Sequence, residues 1–431
     1  MANLKKWDWI ITTFKSNSLQ TLFLRLAGVV FIFLTTYVFT HKFSPDVVGV
    51  YDFSRSYLIV FGSLCMLASD QTILYLIGRH TNTKRAIKDI YTKILLFVFI
   101  IYLLFNAIVY LFLNANIVPV DSTTRDVVLK SNTIIIFYCI YLINTEIFRT
   151  LDRTFFSETL RNIIKYVPLI IGFFIAESNK NSVQVVDYFI YGFIFISLFS
   201  TVVLYFILKN RKEELDDYQE DSLNGIIKYS IPIVFSTVSI YLLSSIDVFL
   251  IKYFEGNNYV AFYSVAVKVI STISVAINSI SLSIATETAY NYANRNFENL
   301  KKIMKKSGQI IFYFSLFSSA LLFFFREPIL CVFGKQYLAS INVYTILLVG
   351  NFIMSISGNT YIYLLMTNKG MLMVKLLLLS VVINLSLNLI LIPRFGIEGA
   401  AVASIVSIIF WNFIGALYIY KIDKVNILFK P

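Results

Sequence analysis

ILLFVFIIYLLFNAIVYLFLN (94–114) runs for 21 residues without a charged side chain. About 20 mostly apolar residues cross a hydrocarbon core as a helix, because only intra-segment hydrogen bonding satisfies the backbone there. Working outward, comparable stretches lie near 20–40, 51–79, 90–114, 131–150, 158–176 and 186–208, then 226–250, 259–289, 307–325, 340–366, 370–392 and 398–420. They leave little chain for aqueous domains. The hydrophobic share of 58% and the mean hydropathy of +0.74 agree. The expected fold is an all-α polytopic membrane protein with about twelve transmembrane helices.

Charge gives the orientation. With the N-terminus inside, 26 of the 37 Lys and Arg fall on cytoplasmic segments, 8 on the opposite loops and 3 within spans. That is the asymmetry the positive-inside rule describes. The net charge of +12 therefore belongs to loop ends facing anionic headgroups. Nucleic acid is not an expected partner. Both termini are expected to be cytoplasmic. Residues 1–19 read as an interfacial anchor leading into the first span rather than a cleaved signal peptide.

A polar break at 209–225, with acidic Glu213, Glu214, Asp216, Asp217, Glu220 and Asp221, divides the chain into 1–208 and 226–431, six spans each. The halves echo one another: VVGVYDFSRS (47–56) and YVAFYSVAVK (259–268) open corresponding spans, 212 residues apart at Tyr51 and Tyr263. An even number of spans per half makes the repeat parallel. Two six-helix lobes with a pseudo-twofold axis along the membrane normal follow.

Charges inside spans are costly and point to function. Lys268, Arg55 and Arg25 are candidates for a substrate cavity, and Asp247 and Asp70 for ion coupling. The alternative is that these carboxylates pair with those cations and hold the lobes together. Arg149, Arg153, Arg161 and Lys165 form a cytoplasmic basic group, either topological or a mouth for an anionic headgroup. Asn384 and Asn388, and Gly396, Ala400 and Ser404, recur at four-residue spacing and read as helix packing. Cys65, Cys139 and Cys331 read as packing residues, and His41 and His80 lie in or at loops. No metal cluster, phosphate loop, nucleophile elbow or cofactor motif stands out, so an enzyme is disfavoured.

KYSIPIVFSTVSIYLLSSIDVFLIKYFEGNNYVAFYSVAVKV (228–269), NLSLNLILIPRFGIEGAAVAS (384–404) and FSPDVVGVYDFSRSYLIVFGSLCMLASDQ (43–71) resemble the Wzx-type polysaccharide flippases of the multidrug/oligosaccharidyl-lipid/polysaccharide exporter superfamily. The features are Ser230 and Pro232, the late Asp247, Tyr263 with Lys268, and the Ile-Pro-x-x-Gly hairpin. Gln71 after Asp70, and Ala261, depart from the family's glycines. The resemblance implies alternating access that carries an undecaprenyl-pyrophosphate-linked oligosaccharide, such as an O-antigen unit, across a bacterial inner membrane. It further implies membrane lipids, a polymerase and a chain-length regulator as partners. A drug or cation exporter of the same superfamily and a membrane oligosaccharide polymerase are the alternatives.

Overall fold

The computed structural model describes residues 17–67, 69, 73, 77, 84–115, 121–179, 184–211 and 223–429. Among them, helix is the only regular structure. Helices α1 (Asn17–Lys42), α2 (Pro45–Met66), α3 (Lys84–Asn114), α4 (Ser122–Thr150), α5 (Thr154–Asn162), α6 (Val167–Asn179) and α7 (Gln184–Lys209) make the first half. The second half holds α8 (Leu223–Leu243), α9 (Ile246–Phe254), α10 (Asn257–Ser283), α11 (Ala285–Ala293), α12 (Phe297–Phe324), α13 (Arg326–Val332), α14 (Ile341–Ser355), α15 (Thr360–Met366) and α16 (Gly370–Asp423).

Nine helical segments among the described residues are long and apolar enough to cross a membrane, and α8 with α9, bent by 41°, makes a tenth. One of the nine, α16, is 54 residues long and doubles back at Gly396, whose φ of 57° and ψ of −138° suit only glycine. Its arms are antiparallel: Asn384 and Ser404, 20 residues apart in sequence, approach to 3.5 Å between side-chain atoms. The expected stretch 51–79 is described continuously only to Leu67. The acidic run within 209–225 lies outside the described residues.

Two compact units form. The first takes residues 1–35 and 54–237, and the second 36–53 and 238–431. The boundary is not the sequence boundary, because the tip of the α1–α2 hairpin packs with the second unit. Gly49 brings its backbone against the Asn257 carbonyl so closely that a Cβ would collide, and Asn257 Nδ2 donates to Asp46 at 2.8 Å. Phe53 meets Phe249 edge-on, with ring centroids 5.7 Å apart. The two echoing stretches, 47–56 and 259–268, are joined directly by the pair Asp52–Lys268.

In the second unit, the end of the chain folds back after Lys424, which takes a left-handed conformation with φ of 54°. Val425 and Ile427 are buried with Leu300, Met304 and Tyr363, and Phe429 stacks on Phe312 at 3.8 Å. The Phe429 N–H donates to the Ile356 carbonyl, freed by the break between α14 and α15. Asp423 closes the same end, accepting from Lys369 at 2.6 Å and Tyr363 at 2.8 Å.

Candidate functional site

The break at Ser244 and Ser245 decides the site. It starts a new helix at Ile246 and puts Asp247 in its first turn, where unpaired N–H groups and the helix dipole favour a carboxylate. Asp247 is 3% exposed, and its partners come from three other segments. Tyr263 of α10 and Ser404 of the second arm of α16 donate their hydroxyls to Oδ2. Asn388 Nδ2, from the first arm, donates to Oδ1 at 2.8 Å, and Asn384 Nδ2 lies 3.5 Å away. The glycine turn at 396 makes this possible, since it returns Ser404 to the level of Asn384.

Every partner is neutral. Among the described residues no Lys or Arg pairs with Asp247. A buried carboxylate without a countercharge is costly, and hydrogen bonds offset only part of that. One acceptor is also left over: Asn388 Oδ1 is buried and has no hydrogen-bond partner. The carboxylate thus sits in a polar set of two amide N–H groups and two hydroxyls, with the Asn388 oxygen left over beside it. Uptake of a cation or of a proton would neutralise its charge. The set opens onto a cavity of about 280 Å³, with Ser271, Ser274, Asn351 and Met354 further along its wall.

The cavity candidates lie outside this set, and two of them are tied to acids. Lys268 Nζ lies 2.7 and 2.9 Å from the two carboxylate oxygens of Asp52 and 5.7 Å from the Tyr51 ring centroid. Asp52 is 1% exposed. Arg25 is 3.5 Å from Glu158, which also accepts from Asn162 at 2.9 Å. Arg55 is half-buried on α2, and Asp70 lies outside the described residues.

The basic group separates into different environments. Arg161 and Arg149 both reach Glu146, Arg161 in close contact and Arg149 at 3.8 Å. Lys165 lies 5.1 Å over the Tyr166 ring, and Arg153 is exposed before α5. Glu146, with no exposure, and Glu158, 2% exposed, are buried acids whose role sequence reasoning did not foresee. Asp52 was missed in the same way, because all three stand near span ends. Asn384 and Asn388, expected as packing residues, do pack helices, but by holding Asp247. The available signal was two asparagines one turn apart in an apolar run.

Known proteins share the fold. Residues 232–390 match the MatE family. An uncharacterized membrane protein of Methanocaldococcus jannaschii is 24% identical over 264 residues, 60% of this chain and 51% of that protein. The match thus spans about half the relative's length. An inward-facing multidrug resistance MATE family transporter of the MOP superfamily superposes with a TM-score of 0.71 at 16% identity, covering 92% of this chain and 96% of that one. The lipid II flippase MurJ, inward closed, gives 0.69 at 14% identity over 91% and 87%. A MOP superfamily transporter from Pyrococcus furiosus, whose binding pocket of reverse polarity suggested a different function for it, gives 0.62 at 14% over 93% and 95%. This chain has the fold of those transporters, and its residues 232–390, which hold Asp247 and both asparagines, carry the MatE pattern.

Proposed function

We propose that the protein is a membrane transporter working by alternating access and driven by a cation, Na⁺ or H⁺, taken up at Asp247. The observation that carries this reading is a buried carboxylate held only by neutral donors, beside the unpartnered Asn388 oxygen. A purely structural aspartate would gain more from a basic neighbour. Here the charge is left for an exchangeable ion. Uptake stabilises whichever conformation holds the groups around Asp247 together, which is how ion binding biases an access equilibrium.

The substrate reading follows the Wzx-type resemblance: an undecaprenyl-pyrophosphate-linked oligosaccharide, moved between leaflets of a bacterial inner membrane without covalent chemistry. Lys268, Arg55 and Arg25 are its candidate contacts. Pairing of Lys268 with Asp52 and of Arg25 with Glu158 lowers the positive field they offer. That neutralisation favours a second reading, a drug or cation exporter, which the positive charge had argued against.

Vesicle reconstitution tests both. An Asp247→Asn protein keeps shape and hydrogen bonding but cannot titrate or bind a cation by charge. Its transport should lose dependence on the Na⁺ or pH gradient while the protein still inserts. Wild-type gradient dependence in this variant would remove Asp247 from coupling. Flipping of lipid-linked oligosaccharide, against gradient-driven efflux of a cationic dye, separates the two substrate readings.

A further inference from the structure

Apart from Asp247 and its cavity, the second unit holds a smaller cavity of about 250 Å³, where the returning chain end meets the first turns of α12. Lys301, Lys305 and Gly308 come to it from one face of α12, and Lys424 and Asn426 from the chain end. Lys301 and Lys305 are exposed at the head of α12, whose next turns, from Ile310, are apolar, and Lys424 is exposed just past the end of α16. Among the described residues none of the three makes an ion pair. The acids that adjoin them in sequence are otherwise placed: Asp423 is held by Lys369 and Tyr363, and Glu298 is exposed in the first turn of α12.

Like charges four residues apart on a helix repel, and a third cation brought across the cavity adds to that. The fold nevertheless holds Lys424 there. Its backbone is left-handed at φ of 54°, in a region where lysine is uncommon, and the chain beyond is anchored by the buried Val425 and Ile427 and by the Phe429 N–H. Asn426 Oδ1 accepts from the Leu428 N–H at 3.0 Å, which leaves its Nδ2 amide as a further donor. Three lysines and an asparagine line this small cavity with no acidic residue among its lining, a composition that answers to a tetrahedral oxyanion. The volume is below that of drug-sized pockets, which begin at roughly 300 Å³.

We propose that Lys301, Lys305, Lys424 and Asn426 bind a phosphate group at the membrane surface. It comes from the headgroup of an anionic lipid or from a soluble phosphate. The bound group bridges α12 to the chain end and holds the fold-back in place. Lys302 and Lys306, on neighbouring faces of the same helix and outside the cavity, serve only as surface charge.

The test uses the full-length protein in phosphatidylcholine nanodiscs with and without phosphatidylglycerol, and separately with added inorganic phosphate. Thermal stability and lipid co-purification are read. The variant is Lys301→Gln/Lys305→Gln/Lys424→Asn, asparagine being chosen because it tolerates the left-handed backbone. Lys302→Gln/Lys306→Gln is the charge-matched control, and Lys301→Arg/Lys305→Arg tests retention of charge. Phosphatidylglycerol should raise the melting temperature of the wild type, the control and the arginine variant. The triple variant should lose that rise and bind at least about tenfold more weakly, as loss of charge-assisted bonds implies. A rise produced by inorganic phosphate at millimolar concentration, and competing with the lipid effect, identifies a soluble ligand instead of a headgroup. An equal response in the triple variant, or equal loss in the control, overturns the site. If the triple variant already melts lower without any ligand, the control and arginine arms still decide, since only a site at the cavity distinguishes them.

Discussion

At the residue scale, the chemistry of this protein depends on which buried charge has which partner. Sequence marks Asp247 and Lys268 as intramembrane charges, since each interrupts an apolar run. It cannot show that they belong to different arrangements, one neutral and one ionic. The distinction comes from contacts 141 and 216 residues apart in the chain. The Asp52–Lys268 pair has a definite consequence. With Asp52 1% exposed and Lys268 12% exposed, removing one partner strands a charge in a poorly hydrated place. Asp52→Asn should therefore lower stability by about 3 kcal/mol, read as a clear fall in melting temperature in detergent. The double change Asp52→Asn/Lys268→Met should recover most of the loss. If the single and double variants melt alike, the pair contributes no more than two independent residues. Tyr263→Phe removes a hydroxyl from Asp247 while keeping the ring. It should weaken stabilisation by Na⁺ or shift the pH dependence of transport, with little change in protein level.

At the element scale, apolar length made most helices legible: 94–114 lies within α3, and 186–208 within α7. The breaks were not legible. Nothing in the hydropathy of 226–250 marks the bend at Ser244–Ser245, because serines are tolerated inside membrane helices. The turn at Gly396 was readable as a loop between two spans. Its tightness was not, since it depends on Gly399 pressing against the Leu391 carbonyl, 2.5 Å from where a Cβ would sit. Two substitutions test these close approaches. Gly399→Val should disrupt the α16 hairpin, displace Ser404 from Asp247, and lower both stability and cation response. Gly49→Val should collide with the Asn257 backbone, at a cost of about 1–3 kcal/mol or more. Gly370→Ala is the control, because its Cβ would meet nothing within 4 Å, and it should be silent in melting experiments.

At the scale of the whole molecule, the sequence divides at its polar linker, whereas packing divides it differently, assigning 36–53 to the second unit. Hydropathy is blind to this, because a helix hairpin can pack with either neighbour at no change in composition. What the charge distribution predicts is orientation, and labelling can check it. Cys65 and Cys139 are buried and Cys331 is exposed, so a Cys331→Ser background leaves no reactive thiol among the described cysteines. Single cysteines at Thr123 and Asn258, both exposed in the first turns of α4 and α10 beside segments with few basic residues, should react with an impermeant maleimide added outside intact cells. A cysteine at Arg295, exposed in the turn before the lysine-rich head of α12, should react only once the membrane is opened. The two halves are tested separately, since Thr123 belongs to the first and Asn258 and Arg295 to the second. Accessibility of Arg295→Cys from outside, with Asn258→Cys protected, would invert the second half. The lysines of α12 and Lys424 would then face away from the anionic cytoplasmic leaflet, and the phosphate group they hold would have to come from outside.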